Sequence, residues 1–266
     1  MPSIAGTVSL KCLSLMWNSM TEPLFLEIES PQGDAEYYVQ SLWFARSTTD
    51  GEIWLPSDAG SGIVFLKRGN AKVDDKPIMQ PYDIQKHSLQ SKKFTYSNEL
   101  MLFGIRFQPA GYSQLEALNH PLTQIDKLSC ISKQVTRCNN LLDFKKALAP
   151  YFDFTFSRDH IADFTHAFIQ RLAERQTLMD ALDETPLSQR QLERHIKQQC
   201  GITPKHLARI YRVRQAMTAI KMDTSKSMTQ IALECGYCDQ SHFTREFRGI
   251  MRITPAKYRR CLVSRC

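Results

Sequence analysis

Two nine-residue stretches carry side chains suited to reading a polyanion with a sequence. The first holds Gln189, Arg190, Glu193, Arg194 and Lys197, and the second holds Gln240, Ser241, Thr244, Arg245 and Arg248. Arg makes two-point contacts to guanine and Gln to adenine, so these types on one helix face suit base edges in a major groove. The stretches are copies of one unit. Shifted by 51 positions, Gln189 falls on Gln240, Leu192 on Phe243, Arg194 on Arg245, Ile196 on Phe247 and Lys197 on Arg248. Beyond them Ile202, Thr203 and Pro204 fall on Ile253, Thr254 and Pro255. A match of this length marks a duplicated structural unit rather than a chance tripeptide.

Other chemistry has weaker support. Cys235-Gly-Tyr-Cys238, with His242 one turn on, has the spacing of a zinc or redox site. Cys235 falls on an apolar helix stripe and no second such pair follows, so no metal and no cofactor are expected. The sequence contains no HExxH, GxSxG, P-loop or GxGxxG pattern, and His87, His120, His160 and His166 have no partner pattern. The expectation is a non-enzyme. An enzyme or a redox or metal sensor that retains a DNA-binding tail is the alternative.

The elements that must hold the two stretches are legible in the spacing. Leu192 and Ile196 share one face of a helix over about 188–199. Gly201 ends it, Thr203 caps the next helix and Pro204 occupies its first turn. A long helix is expected over 204–221. In the second copy Met228, Ile231, Ala232 and Cys235 form the apolar stripe of a short helix. Gly236 makes a turn, and a polar helix over about 239–249 docks through Phe243 and Phe247. Helix, tight turn and polar helix make a helix-turn-helix.

The run IALECGYCDQSHFTREFRGIMRITPAKYRR resembles the signature of the AraC/XylS family of bacterial transcription regulators. It supplies Ile231-Ala232, Gly236-Tyr237, Ser241, Phe243, Arg245, Phe247-Arg248, Pro255 and Tyr258-Arg259, and the first copy supplies Ser188, Leu192, Arg194, Gly201 and Pro204. Three departures stand out. Arg252 replaces the usual Gly, His206 replaces the usual Tyr or Phe, and the helix before the first copy, Leu178 to Glu184, is short and charged. The resemblance implies two helix-turn-helix units reaching successive major grooves. Its base readers would be Arg190, Glu193 and Arg194 in the first copy and Gln240, Ser241, Thr244 and Arg245 in the second. Lys197, Arg248, Lys257, Arg259 and Arg260 would hold phosphates, which position the protein without reading sequence.

The front of the chain reads differently. Short aromatic or branched runs at 37–45, 52–56, 62–67, 71–75, 92–96 and 100–107, divided by turn residues, predict a sandwich or barrel-like β domain. Helices follow to about 149, and YFDFTF at 151–156 is a further strand candidate. Ile161, Phe164, Phe168 and Leu172 then recur at helical spacing. The fold class is therefore α+β, with a regulatory or dimerisation domain over 1–165 and an all-α DNA-binding domain over 166–266. LWFA at 42–45, LPSDAGSGIVF at 55–65 and GIRFQPAGY at 104–112 resemble the β-rich domain of one branch of the same family, whose ligands are mostly unassigned. Trp43, Trp54 and Phe107 are candidates to line an effector pocket, the alternative being a solid core.

Charge divides the chain at the same place. Residues 166–266 carry 18 Lys+Arg against 9 Asp+Glu, whereas the first 165 carry 16 against 18. A basic back half suits a polyanionic partner. No run of about 18 apolar residues suggests a membrane span. The first residues, MPSIAGTVSLKC, lack a secretory pattern, and eight cysteines are few for 266 residues, so a reduced, cytoplasmic setting is expected. The expected partners are double-stranded promoter DNA, RNA polymerase, a small-molecule effector and a second copy of the chain, and the expected output is regulation of transcription, by activation or by repression.

Overall fold

The computed structural model describes residues 24–155, 160–174 and 176–263, with the side chains of 160–162 outside the description. The N-terminal dodecapeptide, Cys12, Phe156, Cys266 and the Ile161 side chain of the sequence reading lie outside the described residues.

The front half is a two-sheet sandwich. Strands β1 (Phe25–Glu29), β2 (Val39–Ser47), β4 (Gly62–Arg68), β7 (Asp83–Gln85) and β9 (Leu100–Phe107) form one sheet in the order β1-β2-β9-β4-β7. Strands β3 (Gly51–Leu55), β5 (Ala71–Val73), β6 (Lys76–Pro77) and β8 (Lys92–Tyr96) form the other in the order β3-β8-β5-β6. Alternation along β9 explains the layering: Leu100 and Leu102 face the second sheet, while Phe103, Ile105 and Phe107 face helices. The covering helices are α1 (Gly111–Ala117), α2 (Ile125–Val135) and α3 (Leu141–Leu148), which bury Leu115, Leu128, Ile131 and Phe144 there. Gly104 is required opposite Trp43, because a Cβ at 104 would lie 2.1 Å from the indole.

Two readings of the front half are corrected. Residues 151–155 of YFDFTF are not a strand. Their backbone is taken up locally: Thr155 donates from N to Asp153 Oδ1, and His120 Nε2 lies 2.8 Å from the Asp153 carbonyl oxygen. Phe154 stacks on His120 and Tyr38 at 4.7 and 5.8 Å. Nor do Trp43, Trp54 and Phe107 share a pocket. Trp43 alone of the three lines a cavity of about 130 Å³ between the sheets. Phe107 is fully buried on the helix side against Tyr112, and Trp54 lies under the Arg252 guanidinium. The period-2 pattern placed these rings on strands but not on the same side of them.

The back half is helical: α4 (His160–Ala173), α5 (Leu178–Asp183), α6 (Gln189–Cys200), α7 (Pro204–Met222), α8 (Met228–Glu234), α9 (Gln240–Met251) and α10 (Pro255–Val263). One apolar cluster joins Leu192, Ile196, Leu207, Ile210, Met217, Ile231, Phe243 and Phe247. Helix α4 sends Phe168 and Leu172 into that cluster and His166 onto Tyr37 of the front half, with ring centroids 4.1 Å apart. It therefore straddles the expected 165/166 division. Among the described residues no helix is long and apolar enough to cross a membrane.

Candidate nucleic-acid interface

Each recognition helix is started by its own side-chain cap. Ser188 accepts from Gln191 N at 3.4 Å while Gln191 Oε1 accepts from Ser188 N at 3.0 Å, a reciprocal capping box. In the second unit Asp239 Oδ1 accepts from His242 N at 2.7 Å. The hydrogen bonds from the His242 and Ser241 amides hold the Asp239 carboxyl below the usual carboxylate range, Arg245 adding to the effect. Thr203 and Thr254 cap the helices that follow, each at 3.2 Å, with Pro204 and Pro255 in the first turn as the sequence repeat predicts.

The buried faces are those expected. Leu192, Ile196, Phe243 and Phe247 have no exposed surface. The opposite faces present Arg190, Glu193, Arg194 and Lys197 on α6, and Gln240, Ser241, Arg245 and Arg248 on α9, to solvent, with Thr244 half-buried. Arg194 and Arg245 form no ion pair among the described residues, which removes the plain explanation of them as surface salt bridges. Helix α7, with 19 residues, joins the two units as a rod about 28 Å long.

Some of the expected contact residues are engaged within the protein. Arg259 donates from Nη1 to the Lys226 carbonyl at 2.7 Å, so it braces the turn before α8. Gln240 Oε1 accepts from Thr229 Oγ1 at 2.8 Å, tying α8 to α9, and Glu193 accepts from Gln189 at 3.1 Å. Lys257 and Arg260 are exposed on α10.

Glu246 escaped the sequence reading. It is 8% exposed on the docked face of α9, and its Oε2 accepts from Arg209 Nε at 3.0 Å with Arg212 Nη1 3.8 Å from Oε1. It thereby pins the second recognition helix to α7. The signal was present as an acid three residues after Phe243, on the apolar stripe, facing two arginines three apart on the linking helix. Burial, with the nearby Glu246 carboxylate, pushes the Tyr237 phenol well up. Cys235 caps α8 and packs on the apolar cluster while Cys238 is exposed. Among the described residues no three His, Cys, Asp or Glu side chains converge on a metal-sized site.

The front domain adds one buried charge at the junction. Burial pushes the Asp58 carboxyl up, but Arg106, which binds it through Nε at 2.9 Å and through Nη2, and Arg214 of α7 together hold it below the usual range. Burial also raises the Cys200 thiol to about 12, so it is a core thiol at neutral pH.

The helix-turn-helix domain family matches residues 182–261. The HTH-type transcriptional regulator ArgR of Pseudomonas aeruginosa is 35% identical over 103 residues, covering 34% of this chain and 30% of ArgR. The HTH-type transcriptional activator RhaS of Escherichia coli is 35% identical over 77 residues, covering 29% and 27%. The chain thus spans less than a third of the length of these curated relatives. Among solved structures, ToxT from Vibrio cholerae superposes over 83% of this chain and 98% of its own with 15% identity and a TM-score of 0.43. An AraC-type regulator from Chromobacterium violaceum covers 37% of this chain and 90% of its own at 28% identity and a TM-score of 0.34. Residues 182–261 are thus similar to the helix-turn-helix domains of transcription regulators.

Proposed function

We infer that the chain is a sequence-specific regulator of transcription that reads two successive major grooves with α6 and α9. The observation that carries this is the pair of 12-residue helices, each started by a side-chain cap, with their apolar faces in one cluster with α7 and Arg190, Arg194, Ser241 and Arg245 exposed on the other side. Bases are assigned to Arg190, Glu193, Arg194, Gln240, Ser241, Thr244 and Arg245, and phosphates to Lys197, Arg248, Lys257, Arg259 and Arg260. Residues from about 160 onward form the DNA-binding domain, since a cut at 166 would sever the first turns of α4. RNA polymerase is the partner through which such a reader acts.

A small effector is assigned to the cavity between the sheets, because Lys86, Ser88, Gln90 and Lys92 on its wall belong to the segment that meets the helix-turn-helix units. At about 130 Å³ the cavity admits only a few heavy atoms, well under the ~300 Å³ of ordinary ligand sites. A larger effector therefore requires the sheets to part.

The test is selection of bound duplexes from a random pool by the full chain. The expected result is an enriched site with two elements on one face of the helix, bound with an affinity that falls steeply with salt. Equal retention of all sequences would sink the reading.

A further inference from the structure

The front domain touches both helix-turn-helix units at the same place in each repeat. Shifted by 51, Gly201 corresponds to Arg252, and Gln198 and Gln199 correspond to Gly249 and Ile250. These residues are the C-terminal ends of α6 and α9 and their caps. On the first unit the His87 ring lies against Gly201, where a Cβ would be 2.2 Å from Cε1. Gln114 donates to Gln199 Oε1 at 3.2 Å, and the His206 imidazole lies 3.3 Å from the Leu89 carbonyl oxygen. On the second unit Gln90 Nε2 donates to the Gly249 carbonyl at 2.8 Å and Ser91 N to the Ile250 carbonyl at 2.7 Å. Arg252 Nη1 donates to Asp74 at 2.8 Å, with the guanidinium 5.1 Å above the Trp54 ring.

Three features make this a built contact. Helix C-termini leave their last carbonyls without intrahelical partners, and the front domain supplies donors to two of them. Arg252 adopts φ +62, a left-handed conformation that favours Gly, and the side chain a Gly would lack is the one that reaches Asp74 and Trp54. His206 and Arg252, both departures from the expected pattern, are both residues that touch the front domain. Most of the contacts come from the five residues His87 to Ser91, held between β7 in one sheet and β8 in the other. Burial, with Lys92 and Lys86 nearby, holds His87 below the usual imidazole range, so the ring on Gly201 is neutral at pH 7.

We propose that the front domain sets the spacing at which the two units read DNA, by holding both recognition helices at equivalent C-terminal caps. This rests on the two-groove reading above. Helix α7, on which both recognition helices dock, is the first link between the units. A second tie, from one rigid sandwich to both recognition helices, fixes their separation and relative twist. Inserting one base pair between two DNA elements moves them 3.4 Å apart and turns one by about 35°. A pair of readers held in this way cannot follow that change.

The experiment uses the full chain and the duplex enriched by selection, with zero, one or two base pairs inserted between or deleted from between its two elements. Asp74→Asn keeps the acceptor that Lys93 N uses while removing the charge opposite Arg252, and Arg252→Gly keeps a favourable helix cap, so both variants are expected to unfold at the parent temperature. The parent should lose roughly tenfold or more in affinity per base pair of altered spacing. The variants should lose about threefold or less, with affinity for the unaltered site within about threefold of the parent. A spacing profile identical in parent and variants overturns the proposal. So does a uniform gain in affinity at every spacing, which would make the contact inhibitory instead. Failure to enrich any sequence would refute the underlying DNA-reading function, whereas an enriched site with an unchanged profile refutes only the spacing role.

Discussion

The two helix-turn-helix units share a plan and differ in how firmly their recognition helices are held. In the second unit α9 docks through Phe243 and Phe247, packed edge-on with centroids 5.6 Å apart and continued by Tyr237 and Tyr258. Glu246 adds an ionic pin to Arg209. In the first unit α6 docks through Leu192 and Ile196, and the position equivalent to Glu246 is His195, half-buried and without such a pin. The preceding helix α5 has six residues and sends only Ala181 fully inside, with Arg171 and Glu184 closing its end at 3.0 Å. Reading bases needs a helix fixed to within fractions of an ångström, whereas holding phosphates tolerates more play. On the two-groove reading proposed above, the firmer anchoring would make α9 the more selective of the two readers.

The largest expected effect tests the ionic pin. Glu246→Ala leaves the Arg209 guanidinium without its partner and should cost about 2–3 kcal/mol in urea unfolding. His195→Ala should stay within about 0.5 kcal/mol. Similar losses at both positions would erase the distinction between the units.

DNA binding sharpens the comparison. Arg245→Ala should cost about 1–3 kcal/mol on the selected site and much less on random duplex. Arg194→Ala should show the same preference to a smaller degree, since α6 is held with more play, whereas an equal loss on both duplexes would reduce the first unit to a phosphate holder. Titrations at two salt concentrations separate the cases.

The caps differ by a smaller amount. Gly201→Ala must place a Cβ at φ +71 against the His87 ring and should destabilise by about 1–2 kcal/mol. Arg252→Gly relieves a left-handed residue and gives up a surface ion pair, so its net change should be under about 1 kcal/mol. Differential scanning calorimetry of the two variants checks the ordering.

The smallest effect is pH-dependent. Asp239, whose folded pKa is depressed, supports the start of α9 at pH values above its ordinary 3.8, and that support is lost as pH falls through the depressed value. Ser188, which caps α6, does not titrate. The His242 amide resonance should therefore shift in acid while the Gln191 amide does not. A shared shift would mean that acid loosens the whole domain rather than one cap.

Much of this was legible in the chain. The 51-residue repeat, the Gly201, Thr203 and Pro204 punctuation and the Leu192/Ile196 and Phe243/Phe247 stripes are local signals, and their helices lie within two residues of the expected bounds. The strands at 92–96 and 100–107 were read at their observed limits. The short strands β1, β6 and β7 were missed, because two to five residues carry too little alternation to stand out.

What the sequence by itself determined is the duplicated reader: residue type, helix period and capping are set by neighbours a few positions away, so they survive without knowledge of the fold. What only the tertiary structure decided is which of those residues stay free to act. Arg259 turned inward to the Lys226 carbonyl, Trp54 went to Arg252 rather than to a pocket, and Glu246 was buried between arginines. Each outcome depends on a partner at least 30 residues away in the chain, and one-dimensional spacing does not encode which surfaces the sandwich and the helices bring together.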